Sequence, residues 1–189
     1  MTTRKRRFRA FCALLAAAGL LAGFGMLALS VSYLAEHRAT IRKLRARMIG
    51  AHYLGENGVV LQSKNNDCGA ASLKMILTAH GIECDISELA SDLHLTPRGT
   101  SMLNLRLASA RHGVSARSWS IRPEDLRSIP LPAIAFINGN HFVVIRRLIA
   151  PNILEVDDPA LGKLQWPARS FQRFWTGATL IFDSAWAPL

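Results

Sequence analysis

The stretch that decides the fold runs from residue 62 to residue 77 and reads QSKNNDCGAASLKMIL. It is polar up to Asp67, and from Cys68 onward its apolar residues follow a helical spacing that Gly81 ends. The pattern therefore places the thiol of Cys68 at the N-terminus of a helix. Unpaired N–H groups and the helix dipole at that end favour the thiolate, which is the form that attacks a carbonyl carbon. A cysteine that merely begins a helix is the alternative interpretation.

The elements that follow predict an α+β domain, in which a helical layer packs on an antiparallel sheet. Two further helices are expected, one over 86–93 and one that begins after Thr100 or Ser101. Beyond them the hydrophobic period changes from that of a helix to that of a strand. Strands are predicted over 114–121, 133–138, 141–148, 153–156 and 178–182, and short helices near 123–128 and 168–174.

The positive charge of the chain is concentrated in its N-terminal third. Of the formal net charge of +10, residues 1–58 carry +8 and residues 59–189 carry only +2. An enzyme that acts on nucleic acid needs positive charge on its folded part, so this distribution argues against nucleic acid as a partner. With 50% of its residues hydrophobic and 19% charged, the chain is also unlike a disordered protein.

An apolar segment precedes the domain. Residues 10–35 carry no charge between Arg9 and Glu36, and as a helix they are long enough to cross a bilayer. We predict a single transmembrane helix there. A cleaved signal peptide is the alternative, although its apolar region is usually only about 7–15 residues long. The other predicted segments are a basic tail at 1–9, a basic stalk and linker at 36–58 and the folded domain at 59–185.

Five basic residues precede the apolar run and five follow it within a dozen positions. Because a tail with five charges is costly to translocate, we expect the N-terminus inside the cell and the domain on the extracytoplasmic side. Gly19 and Gly23 stand four residues apart in the run, a spacing that could let two such helices pack as a dimer.

A cysteine nucleophile needs a base, and the base needs a group that orients it. Among the six histidines, His141 is distinct because it opens a predicted strand directly after the turn at 138–140. Asp157 and Asp158 end the next strand, so a hairpin of the two strands would bring a carboxylate close to the imidazole. Gln62 offers an amide donor upstream of the thiol. Taken singly, each of these residues also fits an ordinary surface or turn position.

The other cysteines favour neither a disulfide framework nor a metal centre. Cys12 lies in the apolar run, and Cys68 and Cys84 could form one disulfide in an oxidising compartment, although no spacing demands it. No CxxC or HExxH motif occurs, and a zinc site would need irregular spacing of its ligands, which would be Cys68, His80, Cys84 and His94. We therefore expect no metal and no cofactor.

These motifs resemble the C39 family of papain-like cysteine peptidases, which remove double-glycine leader peptides from bacteriocins and related exported peptides. The resemblance covers residues 61–182, and its most specific element is the spacing Gln62-x4-Asp67-Cys68-Gly69-x-Ala71. Further matching motifs are Arg98-Gly-Thr-Ser101, His141-Phe-Val-Val-Ile145, Asp158-Pro-Ala-x-Gly162 and Trp175-Thr-Gly177.

The resemblance implies a papain-like fold and a role for each matching residue. Cys68 would be the nucleophile, and His141 the general base and then the general acid. Asp158 would orient the imidazole, with Asp157 as the fallback. The Gln62 amide and the Cys68 backbone N–H would stabilise the oxyanion. The family favours two small residues before the cut, which implies cleavage after a double-glycine-type site.

The chain departs from the family's usual architecture, in which the peptidase domain opens an ABC exporter. One predicted membrane helix precedes the domain, and no GxxxxGK[ST] phosphate loop occurs, so an exporter would be a separate partner. We expect a peptidase anchored in the bacterial inner membrane that cleaves a peptide or protein precursor. The alternatives are a leader-binding module without turnover, which would assist a separate exporter, and a papain-like acyltransferase.

Overall fold

The computed structural model describes residues 19–20, 23–24, 26–27, 33 and 37–183. The predicted tail at 1–9 and most of the predicted membrane helix at 10–35 lie outside the described residues. Among the residues that the structure describes, no helix combines the length and apolarity that a membrane crossing requires. The described residues between 19 and 41 are helical, and their large apolar side chains are 40–76% exposed: Leu20, Phe24, Met26, Leu27, Tyr33 and Ile41.

The domain is built on one seven-stranded antiparallel sheet with the strand order β1-β6-β5-β4-β3-β7-β2. The central strands β3 to β6 follow one another as a meander, because short turns join strands that are adjacent in sequence. The strands are β1 His52–Gly55, β2 Ala116–Ser120, β3 Ala133–Ile137, β4 His141–Ala150, β5 Ile153–Asp158, β6 Gly162–Pro167 and β7 Trp175–Phe182.

Helices cover the sheet on both faces. Along β4, Phe142 and Val144 face a core that the helical layer of α2 to α4 closes, whereas Val143 and Ile145 face a second core around Trp166. The described helices are α1 over 37–48, α2 Cys68–Ala79, α3 Ile86–Asp92, α4 Met102–Arg111 and α5 Ala168–Phe171, with a 3-10 helix at Pro123–Arg127.

The predicted α+β class, with helices packed on an antiparallel sheet, is confirmed. The Oγ atom of Ser101 caps α4, as expected, by accepting a hydrogen bond of 3.1 Å from the N–H of Asn104. Two strands, β1 and β6, were not predicted, because neither carries a run of β-branched or aromatic residues.

The segment predicted as a linker takes part in the sheet. Within 50–58, strand β1 pairs with β6, with His52 opposite Gln165 and Tyr53 opposite Leu164. One compact unit runs from Arg42 to Leu189 and therefore begins earlier than the expected start at residue 59. In this unit Ala46 of α1 is fully buried against the second core, which explains why the end of α1 belongs to the domain.

Candidate active site

Cys68 is the first residue of α2, at the position the sequence predicts. Asp67 occupies the N-cap position, but its side chain makes no capping hydrogen bond to the helix. Its carboxylate instead accepts hydrogen bonds from the Ser63 hydroxyl at 2.8 Å and the Lys64 backbone N–H at 3.1 Å. The acid therefore ties the loop before the helix together and leaves the first turn of α2 uncapped beside the thiol.

His141 opens β4, and the β4–β5 hairpin brings it to the end of β5. Its Nε2 atom lies 2.9 Å from Oδ1 of Asp158, whose residue is only 2% exposed. The same oxygen accepts hydrogen bonds from the backbone N–H groups of Ala160 at 2.7 Å and Leu161 at 3.2 Å. These contacts fix the position of the carboxylate and the orientation of the imidazole ring.

The thiol of Cys68 and the imidazole of His141 are close enough for each to shift the pKa of the other, by hydrogen bonding and by charge. Because Asp158 occupies Nε2, the ring nitrogen left for the thiol is Nδ1. Burial raises the pKa of Cys68, but the hydrogen bonds with His141 and with the backbone of Phe142 and Gly69 outweigh it, so the pKa lies below its ordinary value. The sulfur is thereby prepared to carry a negative charge.

The pKa of His141 moves in the opposite direction. Burial lowers this pKa, but the hydrogen bonds and charges of Asp158 and Cys68 raise it to about 10. Both shifts favour the form of the pair in which the thiol proton has moved to the imidazole, which is thiolate and imidazolium. That charge state supplies a nucleophile and a proton donor at the same place.

Gln62 is tied to the loop after β5, next to Asp158, by a 2.9 Å hydrogen bond from its backbone N–H to the carbonyl oxygen of Pro159. Its side-chain Nε2 donates to the Lys64 carbonyl oxygen at 3.0 Å, and its Oε1 is buried without a partner among the described residues. One hydrogen of Nε2 is therefore bound within the loop, and the other has no partner among the described residues.

Asp157 lies on the opposite face of the sheet from Asp158, because successive side chains of a strand alternate. It is fully buried, and its Oδ2 pairs with the Arg146 guanidinium at 2.6 Å, while Lys163 Nζ stands 3.7 Å from its Oδ1. The structure thus brings Cys68 and His141 together with Asp158 and leaves Asp157 in a separate ion-pair network.

Cys68 and Cys84 are both free thiols, so the disulfide considered between them is not formed. Within the described ranges no group of three His, Cys, Asp or Glu side chains could hold a metal ion. Burial raises the pKa of Cys84, in contrast to that of Cys68. The environment of Cys68, and not a general property of the cysteines, therefore favours its thiolate.

The space beside Gly69 is occupied by the protein. A Cβ at residue 69 would lie 2.6 Å from Cγ2 of Thr100 and 3.5 Å from the Phe142 ring. Thr100 is held there by its hydroxyl, which donates to the Leu93 carbonyl oxygen at 2.8 Å. The absent side chain at 69 therefore lets α2 approach the start of α4.

Sequence reasoning missed a cavity of about 420 Å³ that opens beside His141 and Asp158. The cavity is lined in part by Arg45, Met48 and Ile49 from the end of α1 and its following turn. No motif pointed to these residues, since they precede the segment that carries the resemblance. The polar turn before His141, with Asn138 and Asn140, was the one signal close to this cavity.

Comparison with known proteins identifies the family. The sequence model of the peptidase C39 family matches residues 56–186. An uncharacterized protein of Methanothermobacter thermautotrophicus is 31% identical over 130 residues, which are 69% of this chain and 91% of that protein. The lacticin-481/lactococcin-DR transport/processing ATP-binding protein lcnDR3 of Lactococcus lactis is 32% identical over 127 residues. That match spans 63% of this chain but 18% of that protein.

A solved structure extends the likeness to three dimensions. It is the crystal structure of a double glycine motif protease from an AMS/PCAT transporter, in complex with the leader peptide, and it is 32% identical to this chain. The superposition has a TM-score of 0.63 and covers 66% of this chain and 89% of that one. With the family match over residues 56–186 and this likeness, the chain belongs to the peptidase C39 family and is a cysteine peptidase.

Proposed function

We propose that the chain cleaves a precursor peptide after a double-glycine-type site, with Cys68 as nucleophile, His141 as general base and acid, and Asp158 as the residue that orients His141. The observation that carries this proposal is the hydrogen bond between the buried carboxylate of Asp158 and the imidazole of His141, which also lowers the pKa of the Cys68 thiol. The substrate class is supported by the related transporter protease that was crystallised with a leader peptide.

In the acylation step, the thiolate of Cys68 attacks the carbonyl carbon of the scissile bond, and a C–S bond forms while the carbonyl oxygen becomes an oxyanion. The Cys68 backbone N–H and the free Nε2 hydrogen of Gln62 are the donors for that oxygen. The tetrahedral intermediate then collapses, the C–N bond breaks, and the His141 imidazolium gives its proton to the leaving amine. The products are a thioester on Cys68 and a free amine.

In the deacylation step, neutral His141 accepts a proton from water as the water oxygen attacks the thioester carbon. A C–O bond forms, the C–S bond breaks, and the acid product leaves. The thiolate and the imidazolium are restored. Throughout both steps the carboxylate of Asp158, with its backbone donors from Ala160 and Leu161, keeps the imidazole in one orientation.

We further propose that residues 10–35 anchor the peptidase in a bacterial inner membrane, with the domain on the extracytoplasmic side and any exporter as a separate protein. The uncharged run supports this, as do the apolar side chains of Leu20, Phe24 and Leu27, which are 62–76% exposed and need lipid or protein to cover them. Alkaline phosphatase fused to the C-terminus of the chain should be active in whole cells. Carbonate washing should leave the chain in the membrane fraction. Release by carbonate or an inactive fusion would contradict the anchor or its orientation.

The cleavage proposal is tested with the full chain in detergent micelles and an amidated peptide of about 20 residues that contains a central Gly-Gly. Mass spectrometry should show hydrolysis after the glycine pair, little cleavage of the matched Val-Val peptide, and none with Cys68→Ala. Cys84→Ala is the matched control and should cleave like the wild type, because Cys84 does not touch the His141 imidazole.

The alternatives give different products in the same experiment. Binding of the Gly-Gly peptide by the wild type without any cleavage would replace the proposal with a leader-binding module. If a small added amine is captured in preference to water, the thioester of Cys68 serves acyl transfer and not hydrolysis.

A further inference from the structure

The cavity of about 420 Å³ beside the imidazole differs in its lining from the rest of the site. It is bordered by His141 and Asp158 but not by Cys68. In the proposed reaction the acyl half of the substrate is bonded to the sulfur, whereas the leaving amine receives its proton from the imidazole. A cavity that borders the imidazole and not the sulfur therefore lies next to the half of the substrate that follows the cut. We call it the leaving-side cavity.

The leaving-side cavity is rich in hydrogen-bond donors. Its acid, Asp158, already accepts three hydrogen bonds on one oxygen. Arg45 also lines the cavity, and its guanidinium forms no ion pair with any described residue. Trp166 also lines the cavity, is 1% exposed, and has a buried indole Nε1 without a partner among the described residues. A cation and an unpaired indole donor together favour a carboxylate ligand.

The backbone of Arg45 is held in place, although its side chain is exposed. Ala46, its neighbour on α1, is fully buried, and the carbonyl oxygen of Ala46 accepts a 2.9 Å hydrogen bond from the N–H of Ala51. One helical turn before Arg45, Arg42 pairs with Glu56 and so removes that carboxylate as a partner for Arg45. The backbone of Arg45 at the edge of the cavity therefore belongs to an anchored part of the helix.

We propose that the leaving-side cavity binds the residues directly after the cut and that Arg45 and Trp166 select an Asp or Glu side chain among them. The inference rests on the proposed peptidase function and adds a substrate feature to it. Arg45 lies outside residues 56–186, the segment that the family's sequence model matches. The cationic part of the proposed site thus comes from the helix that precedes the matched peptidase segment, and Trp166 comes from within that segment.

The test uses amidated, internally quenched Gly-Gly peptides with Glu or Gln at each of the positions that follow the cut, so that a side chain is the only source of a carboxylate. For the full-length wild type, kcat/KM should favour Glu over Gln by about fivefold at one position, the upper range for an exposed ion pair. Arg45→Gln should bring this ratio close to one. Arg45→Glu should cleave a peptide with Lys at that position faster than the Glu peptide. Raising the salt from about 0.05 M to 0.5 M should reduce the wild-type ratio.

Two further variants separate the site from a general effect of charge. Arg47→Gln makes the same change in charge two residues away, at an exposed position that does not line the cavity, and should keep the wild-type ratio. Trp166→Phe removes the indole N–H but keeps an aromatic ring, and should lower the ratio. Equal wild-type rates for Glu and Gln, or the same ratio in Arg45→Gln, would overturn the inference and leave the peptidase function intact. Absence of cleavage of every Gly-Gly peptide would overturn both.

Discussion

His141 and Asp158 are joined at an oxygen that has three donors. The Oδ1 atom of Asp158 lies 2.9 Å from His141 Nε2, and it also accepts the backbone N–H groups of Ala160 and Leu161. An oxygen surrounded by N–H donors must act as an acceptor. An amide oxygen can do so as well as a carboxylate oxygen. In the proposed mechanism, the orienting role of residue 158 can therefore be tested separately from the role of its charge.

Replacement of Asp158 by Asn should keep the orientation of the imidazole, because the amide oxygen can take the place of Oδ1. The pKa of His141 should fall, since the carboxylate is among the causes that raise it to about 10. We expect the alkaline limb of kcat/KM to move to lower pH in Asp158→Asn, with about a tenfold loss of rate near neutrality. Asp158→Ala, which removes the acceptor, should lose at least about a hundredfold. Equal rates for the two variants would contradict the separation of roles.

The two cysteines should become reactive over different ranges of pH. Because the pKa of Cys68 is lowered and that of Cys84 is raised, iodoacetamide should modify Cys68 at a lower pH than Cys84. Peptide mapping by mass spectrometry of the full chain resolves the two sites. In His141→Ala the advantage of Cys68 should disappear, because burial would then raise its pKa without the imidazole. A Cys68 that reacts no faster than Cys84 would contradict the thiolate assignment.

The Gln62→Ala variant should lower kcat by roughly 10²–10³, the effect of removing one oxyanion donor. The melting temperature should change little, because Asp67 holds the same loop through Ser63 and Lys64. Steady-state kinetics and a thermal melt on the same sample check both expectations. An unchanged kcat would remove Gln62 from the mechanism.

The substitution Gly69→Ala should destabilise the domain by about 1–3 kcal/mol, since the new Cβ would lie 2.6 Å from Cγ2 of Thr100. Thr100→Ser removes that methyl and keeps the hydroxyl that donates to Leu93. The double variant Gly69→Ala/Thr100→Ser should therefore be more stable in urea than Gly69→Ala alone. If the effects of the two substitutions on the free energy of unfolding are additive, the contact between residues 69 and 100 does not cause the destabilisation of Gly69→Ala.

Gly177 in β7 should tolerate no side chain. Its φ is +92°, and a Cβ there would lie 2.4 Å from the carbonyl oxygen of Ile121. We expect Gly177→Ala to reduce the free energy of unfolding by at least about 3 kcal/mol, from the backbone conformation and the clash together. Gly139 has a φ of +70° but open space around it, so Gly139→Ala should cost only about 1–2 kcal/mol. Similar urea midpoints for the two variants would contradict the clash with Ile121.

The α+β class could be predicted because it follows from hydrophobic periods within short segments, first helical and then alternating. The start of α2 at Cys68 was predictable for the same reason. Strands β1 and β6 were missed because each is short and takes its place from its partner strand, not from its own composition.

The sequence by itself determined the local states: a thiol at a helix start, an imidazole at a strand start, and two carboxylates at a strand end. Only the tertiary structure decided which carboxylate meets the imidazole, because the strand's alternation sends Asp157 to Arg146 and Asp158 to His141. It likewise decided that Arg45, 96 positions before His141 in the chain, borders the same cavity. The physical reason is that neighbouring residues set local backbone preferences, whereas strand register and helix packing set the distances between side chains remote in sequence.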